Sequence, residues 1–271
     1  MNFFANIKFL SRLTLNNFKA YSQKPEDCMN DDLSEDSVKW LGHATALINL
    51  GNKILVTDPV TSNFLGHFKR MVKMPNDLKN INIDYILLSH GHMDHMHFSS
   101  LFKLNRNAIV IVPKGYKKLL KLMGFKNVVL LRHGETYNDE YISIKALEAN
   151  HDGRRYYMGI DDESNSYIIK HKNKSVFYAG DTAFTEGFKD LKCDVALMPV
   201  GCYKPDRFSV MHCTPEESFE MFKMMDANIM LPIHYKTFML SLEDFNETSL
   251  RLEKLNDGSI NILNVGEVLK I

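Results

Sequence analysis

From Val38 onward the chain is a series of short β-branched and aromatic runs, each closed by a turn former. "VKWLGH", "TALINL", "KILVTD", "DYILLSH", "AIVIVP" and "NVVLL" predict strands in the first half. "YISIKALEA", "YYMGI", "SYIIKH", "SVFYAGD", "CDVALMPVG", "NIMLPIH" and a last strand at "NILNV" continue the series. Helical patterns interrupt it at 114–124, where Gly124 supplies a stop, and near 242–255. A further helix opens at "TPEES", with Thr214 as N-cap, Pro215 at the first helical position and Glu217 at the capping-box position. Strands and helices in this order predict one α/β domain over 38–271.

Residues 1–37 have a different texture and read as a helical appendage with a linker. "MNFFANIKFLSRLTLNNFKAY" is apolar at Phe3, Phe4, Ile7, Leu10 and Leu15 but broken by Lys8 and Arg12. That suits an amphipathic helix, and neither a signal peptide nor a membrane span. The helix is expected to lie on the domain, with a lipid surface as the alternative support. "SQKPEDCMNDDLSEDS" follows as a polar connector.

Composition narrows the class. The 33 basic and 33 acidic side chains cancel, so no global field steers the chain toward nucleic acid or an anionic membrane. Cys28, Cys193, Cys202 and Cys213 form no C-x-x-C pair. Free, packed thiols in a reducing compartment are expected, hence a cytoplasmic protein, with peripheral membrane contact as a variant.

The chemistry concentrates in "SHGHMDHMH", residues 89–97, directly behind the apolar run "DYILL". In extended chain, side chains two apart point the same way, so His90 and His92 can share one partner. If the chain then turns, Asp94 and His95 can swing toward a second point. Imidazole suits zinc and other first-row metals, and carboxylate extends the range to manganese or iron. One tetrahedral ion takes three or four ligands, and this segment offers more. His97 is left over, on the following turn, and is expected to coordinate nothing. His151, Asp181 and His234 also stand at the ends of predicted strands, where loops gather into sites.

H-x-H-x-D-H, read as His90, His92, Asp94 and His95, resembles the signature of the metallo-β-lactamase superfamily, whose fold is a four-layer αββα sandwich with a dinuclear site along one edge. "KWLGHAT", "ILVTDP", "ANHDGRR", "YAGDT", "VGCYKP", "HCTPEES" and "PIHYKTF" occur in the same order as in one branch of it. That branch holds the N-acyl-phosphatidylethanolamine-hydrolysing phospholipase D and the ascorbate-lactonase-like hydrolases. The resemblance implies one metal on His90, His92 and His151, a second on Asp94, His95 and His234, and Asp181 bridging both. The two divalent ions would be zinc foremost, with manganese or iron as alternatives. A metal-bridging hydroxide would be the nucleophile. Asp94 and His212 would be catalytic, His212 by protonating a leaving oxygen. Asp58 would orient a ligand imidazole; as an Asp before Pro59 it equally suits a turn.

Arg154 and Arg155 follow His151 and have the guanidinium geometry that grips phosphate. His43, in "LGHAT", and Tyr203, beside Lys204, are further substrate-side candidates. "TSNFLGHFKRMVKM" is expected to be a packed connecting loop, with a mobile lid as the alternative. The function expected is hydrolysis of a small-molecule or lipid phosphodiester, with a lactone or other ester as the second substrate class. A nuclease ranks last, because the charge is balanced and no recognition domain is added.

Overall fold

Alternate residues along the strands bury in opposite directions, and that period of two builds a pair of sheets packed face to face. The computed structural model describes residues 3–75, 78–155 and 163–271. The expected strand "YYMGI" falls at 156–160, outside them.

The first half contains β1 (Ser37–Trp40), β2 (Ala46–Leu50), β3 (Lys53–Thr57), a small hairpin of β4 (Phe64–Leu65) and β5 (Phe68–Lys69), then β6 (Tyr85–Leu87), β7 (Ile109–Val112) and β8 (Asn127–Leu130). The second half contains β9 (Thr136–Asn138), β10 (Ser143–Glu148), β11 (Asn165–His171), β12 (Lys174–Tyr178), β13 (Lys192–Pro199), β14 (Asp226–Ile233) and β15 (Val268–Lys270). The helices are α1 (Phe3–Ser22), α2 (Phe98–Leu101), α3 (Lys117–Leu122), α4 (Pro215–Met224) and α5 (Glu247–Leu255).

One sheet has the order β15-β1-β2-β3-β6-β7-β8, the other β14-β13-β12-β11-β10-β9. Trp40, Ile48, Leu55 and Leu87 of the first share a core cluster with Ile144, Tyr167, Tyr178 and Leu197 of the second. The intervening residues Leu47, Val56, Ile86 and Val110 join a second cluster, with Leu101 of α2 and Leu120 of α3. On the other sheet, α4 packs against β13 and β14. The layers are therefore helix, sheet, sheet, helix, the sandwich expected. Each fully buried Leu, Ile or Val contributes about 1.5–3 kcal/mol to holding it together.

Strand direction decides where function can sit. β3, β6, β7 and β8 run parallel, as do β12, β13 and β14. β10 and β12 are both antiparallel to β11 and so share a direction. The C-terminal ends within each set lie at one edge. The residues just after them include Asp58, His90, His151, Asp181 and His234.

The capping box at α4 forms as expected: Glu217 N–H donates to Thr214 Oγ1 at 3.2 Å, and Thr214 N–H to Glu217 Oε2 at 2.8 Å. The helix expected from 242 starts at 247, because Glu243 is held in the preceding turn, accepting from the Cys202 and Lys204 N–H groups. "NILNV" is not a strand. Asn264 turns the chain by accepting Glu267 N–H at its carbonyl, and the edge pairing with β1 passes to β15. "TSNFLGHFKRMVKM" carries the β4–β5 hairpin, with Leu65, Met71 and Val72 buried, so it is packed. All four cysteines are free, three of them buried.

α1 lies on the domain. Leu13, Asn17 and Ala20 are buried. Asn17 Nδ2 donates to Met239 O at 3.0 Å, and Tyr21 OH to His67 O at 2.7 Å. Lys69 Nζ reaches the carbonyls of Ala20, Tyr21 and Gln23 at the C-terminal end of the helix, where the last carbonyls lack the regular intrahelical bond.

Candidate metal centre

The two sheets approach each other closely at the edge where these strand ends gather. Gly180 adopts φ +63°, and a Cβ there would sit 2.7 Å from Ser89 Cβ. A bulkier residue would therefore push the loop carrying Asp181 away from the loop carrying His90. Gly201 does the same service on the other side, where a Cβ would fall 2.1 Å from His234 O.

His90, His92 and His151 each bring a ring nitrogen within 4.8 Å of the others. His151 Nε2 and His92 Nδ1 stand 3.2 Å apart. Asp94, His95 and His234 form a second group of the same kind, which His43 joins. There, His95 Nε2 and His234 Nε2 are 3.2 Å apart, and each lies 3.5 Å from Asp94 Oδ2. Asp181 contacts the second group and lies within 4.8 Å of a ring nitrogen of His151 in the first. Its Oδ2 is 3.1 Å from His95 Nε2, its Oδ1 is 3.1 Å from His234 Nε2, and it clusters with His151 and His212. His97 joins none of the clusters among the described residues; its Nδ1 meets Ser100 Oγ at 2.7 Å.

These spacings fit metal ligation. Two donors bound at 2.0–2.1 Å in tetrahedral geometry lie about 3.3 Å from each other. The Nε2 atom of His90 is buried with no hydrogen-bond partner among the described residues, which is costly unless another group satisfies it. The hydrogen bonds behind the rings also select the tautomer. His151 Nδ1 donates to Met211 O at 2.7 Å, so its Nε2 is left as a ligand atom.

The charges agree. Burial opposes ionisation of Asp181 and Asp94, yet His234 and His95 outweigh it and hold both carboxyls well below the usual range. Burial likewise opposes charge on His95 and His234, but the carboxylates raise both well above the ordinary imidazole value. A divalent cation on these two rings would take the place of the protons that the carboxylates favour there. Burial drives His90 well down and His151 to about 3, the neutral form a metal requires. His212, with Nδ1 3.6 Å from Asp181 Oδ2, is brought to about 4, chiefly by burial.

Asp58 is fully buried behind the cluster. Its Oδ1 accepts from Ser89 N–H at 2.8 Å; its Oδ2 accepts from Ser89 Oγ, from Tyr178 OH at 2.5 Å and from His95 Nδ1 at 2.6 Å. The sequence reading missed Ser89 and Tyr178. Ser89 adjoins the motif and could have been suspected, whereas Tyr178 carries no local signal.

The substrate-side candidates are each held by other groups of the chain. His43 is buried and faces the cluster: its Nε2 is 3.0 Å from Asp94 Oδ2, and its carbonyl accepts from His234 N–H at 2.9 Å. Arg154 is paired with Asp152, its Nη2 2.6 Å from Oδ2. Tyr203 is turned from the centre, its hydroxyl 3.2 Å from Thr248 Oγ1 and its ring under Arg251, while Lys204 pairs with Glu247. Arg155 donates to Gly91 O and Met96 O, both at 2.9 Å, and lies 4.0 Å over the Phe98 ring. It clamps the histidine loop. Arg155→Ala should therefore cost roughly 2–3 kcal/mol in urea unfolding, since bonds from a charged donor contribute about 1.5–3. Lys should rescue little, lacking the planar fork. Unchanged stability with a raised KM would return Arg155 to the substrate side.

The model of the family described as "Beta-lactamase superfamily domain" matches residues 53–235. The mitochondrial N-acyl-phosphatidylethanolamine-hydrolyzing phospholipase D of Saccharomyces cerevisiae is 32% identical over 80% of this chain and 51% of its own length. The chain thus spans about half of that relative. The N-acyl-phosphatidylethanolamine-hydrolyzing phospholipase D 1 of Caenorhabditis elegans is 29% identical over 88% of this chain and 77% of its own. Among solved structures, Igni18, a metallo hydrolase from the archaeon Ignicoccus hospitalis, shares the fold. Its TM-score is 0.66 at 21% identity, covering 86% of this chain and 97% of that one.

Proposed function

The chain belongs to the metallo-β-lactamase superfamily, and from that premise we propose that it is a metal-dependent hydrolase holding two divalent cations and cleaving a phosphodiester of phospholipid type. One observation carries the reading: two ligand groups stand side by side, with the Asp181 carboxylate 3.1 Å from His95 and His234 of one and within 4.8 Å of a ring nitrogen of His151 of the other. His90, His92 and His151 would hold one cation, Asp94, His95 and His234 the other. Zinc suits the donor set best, with manganese or iron as alternatives. When bound, such a pair supplies Lewis acidity and a water-derived nucleophile at neutral pH.

The protein's own residues do the positioning. Asp58 fixes the His95 ring so that Nε2 points inward, and Met211 O fixes His151. His212, 15% exposed and 3.6 Å from Asp181 Oδ2, would donate to a substrate or leaving oxygen. The buried thiols do not compete as nucleophiles, because burial pushes Cys202 up and Cys193 and Cys213 up to about 12. The phospholipase D activity for which the yeast and nematode relatives are named supports a phosphodiester over a lactone.

Elemental analysis should return about two equivalents of metal per chain. The purified protein should hydrolyse a glycerophospholipid phosphodiester, lose that activity to a chelator, and leave a lactone untouched. Turnover of the lactone alone would refute the substrate class, and one equivalent of metal at full activity would refute the pair.

A further inference from the structure

α1 buries one face and leaves a second apolar face uncovered. Ile7, Leu10, Leu15, Phe18 and Tyr21 are 49%, 57%, 56%, 68% and 45% exposed. At about 100° per residue they fill one continuous arc of the helix, and Lys8, Arg12 and Lys19 occupy the edge beside Leu15. The patch continues off the helix, because Tyr21 stacks at 6.0 Å on Phe64, the exposed aromatic of the β4–β5 hairpin. Isolated exposed hydrophobics are ordinary; six in one contiguous patch are not.

The charge is as uneven as the hydrophobicity. The whole chain balances at 33 basic and 33 acidic residues, yet α1 contains three basic residues and no acidic one. An apolar stripe with a basic border is the pattern of a helix lying in the plane of an anionic bilayer surface. A self-associating face would gain nothing from three like charges along its edge.

The helix also borders the mouth of the candidate centre. Phe9 packs edge-on against Phe208 at 5.2 Å, and Phe208 lies 6.2 Å from the His212 ring. The histidine loop and the turn before His212 expose apolar side chains of their own: Met93 is 42% and Val210 70% exposed. We propose that α1 is an interfacial helix that docks the protein on an anionic lipid surface with this mouth beside the lipid. Docking stands on the surface alone, while the supply of substrate from the bilayer rests on the phospholipid reading above.

Co-sedimentation of the full chain with phosphatidylcholine vesicles, with and without phosphatidylglycerol, tests this. Wild-type protein should pellet with the anionic vesicles, and less so at high salt. The double variant Leu10→Asp/Phe18→Asp should lose about tenfold or more in partitioning, because each charge would replace a buried apolar side chain in the lipid. Its melting temperature and its turnover of a soluble phosphodiester should not change. The triple variant Lys8→Gln/Arg12→Gln/Lys19→Gln alters only exposed groups, so it keeps the test intact if the double variant misfolds. It should lose the preference for anionic vesicles. Wild-type protein left in the supernatant, or variants that pellet like wild type, would overturn the proposal. So would a dimer that the double variant dissolves while vesicle binding is absent, which would assign the face to a second copy. Because sedimentation needs no turnover, docking without hydrolysis, or hydrolysis without docking, separates this inference from the proposed reaction.

Discussion

Asp181→Ala is expected to empty the centre and abolish hydrolysis while leaving the fold in place. The carboxylate is 2% exposed and places one oxygen 3.1 Å from His95 Nε2 and the other 3.1 Å from His234 Nε2, within the cluster that also holds His151 and His212. No neighbouring side chain can substitute, since Asp94, the other carboxylate in contact with His95 and His234, already bonds His43. Lewis-acid stabilisation is worth several kcal/mol, so its loss should lower kcat/KM by roughly a thousandfold or more. Elemental analysis should fall by at least one equivalent per chain. The far-ultraviolet dichroism should match wild type, because the two sheets do not depend on this side chain for their packing. A variant that retains both metal and turnover would remove the basis for a shared centre.

Asp58→Asn should have the second-largest effect, on stability and metal affinity together. Four donors converge on a fully buried carboxylate: Ser89 N–H, Ser89 Oγ, Tyr178 OH and His95 Nδ1. Asparagine keeps the shape but aims an NH₂ group at some of those donors. Breaking a buried charged network in this way costs about 3–5 kcal/mol. Urea unfolding should be run in chelator, so that bound metal does not add its own stabilisation. Freed from Asp58, the His95 ring can turn, and losses of this kind lower metal affinity by about 10–100-fold. A wild-type midpoint and affinity would mean that Asp58 merely turns the chain before Pro59.

Legibility followed distance along the chain. His90, His92, Asp94 and His95 were conspicuous because one strand end delivers all four within six positions. The capping box at Thr214 was readable for the same reason, since its two bonds join residues three apart. The partners of His43 and Arg155 were not legible, because nothing local says which way a loop side chain turns. His43 is held by Thr237 Oγ1 on its N–H, and Arg155 by carbonyls of the histidine loop, partners far off in sequence.

By itself the sequence determined the alternation of strands and helices, the family and the set of residue types able to hold metal, because period, capping and motif spacing act over a few residues. Only the tertiary structure decided that His151, Asp181 and His234 meet the His90 loop, and that Tyr203 is turned aside. It alone decided that the apolar arc of α1 stays uncovered. Those outcomes depend on strand direction and on which groups compete for burial across two sheets, and no short window of chain contains both partners.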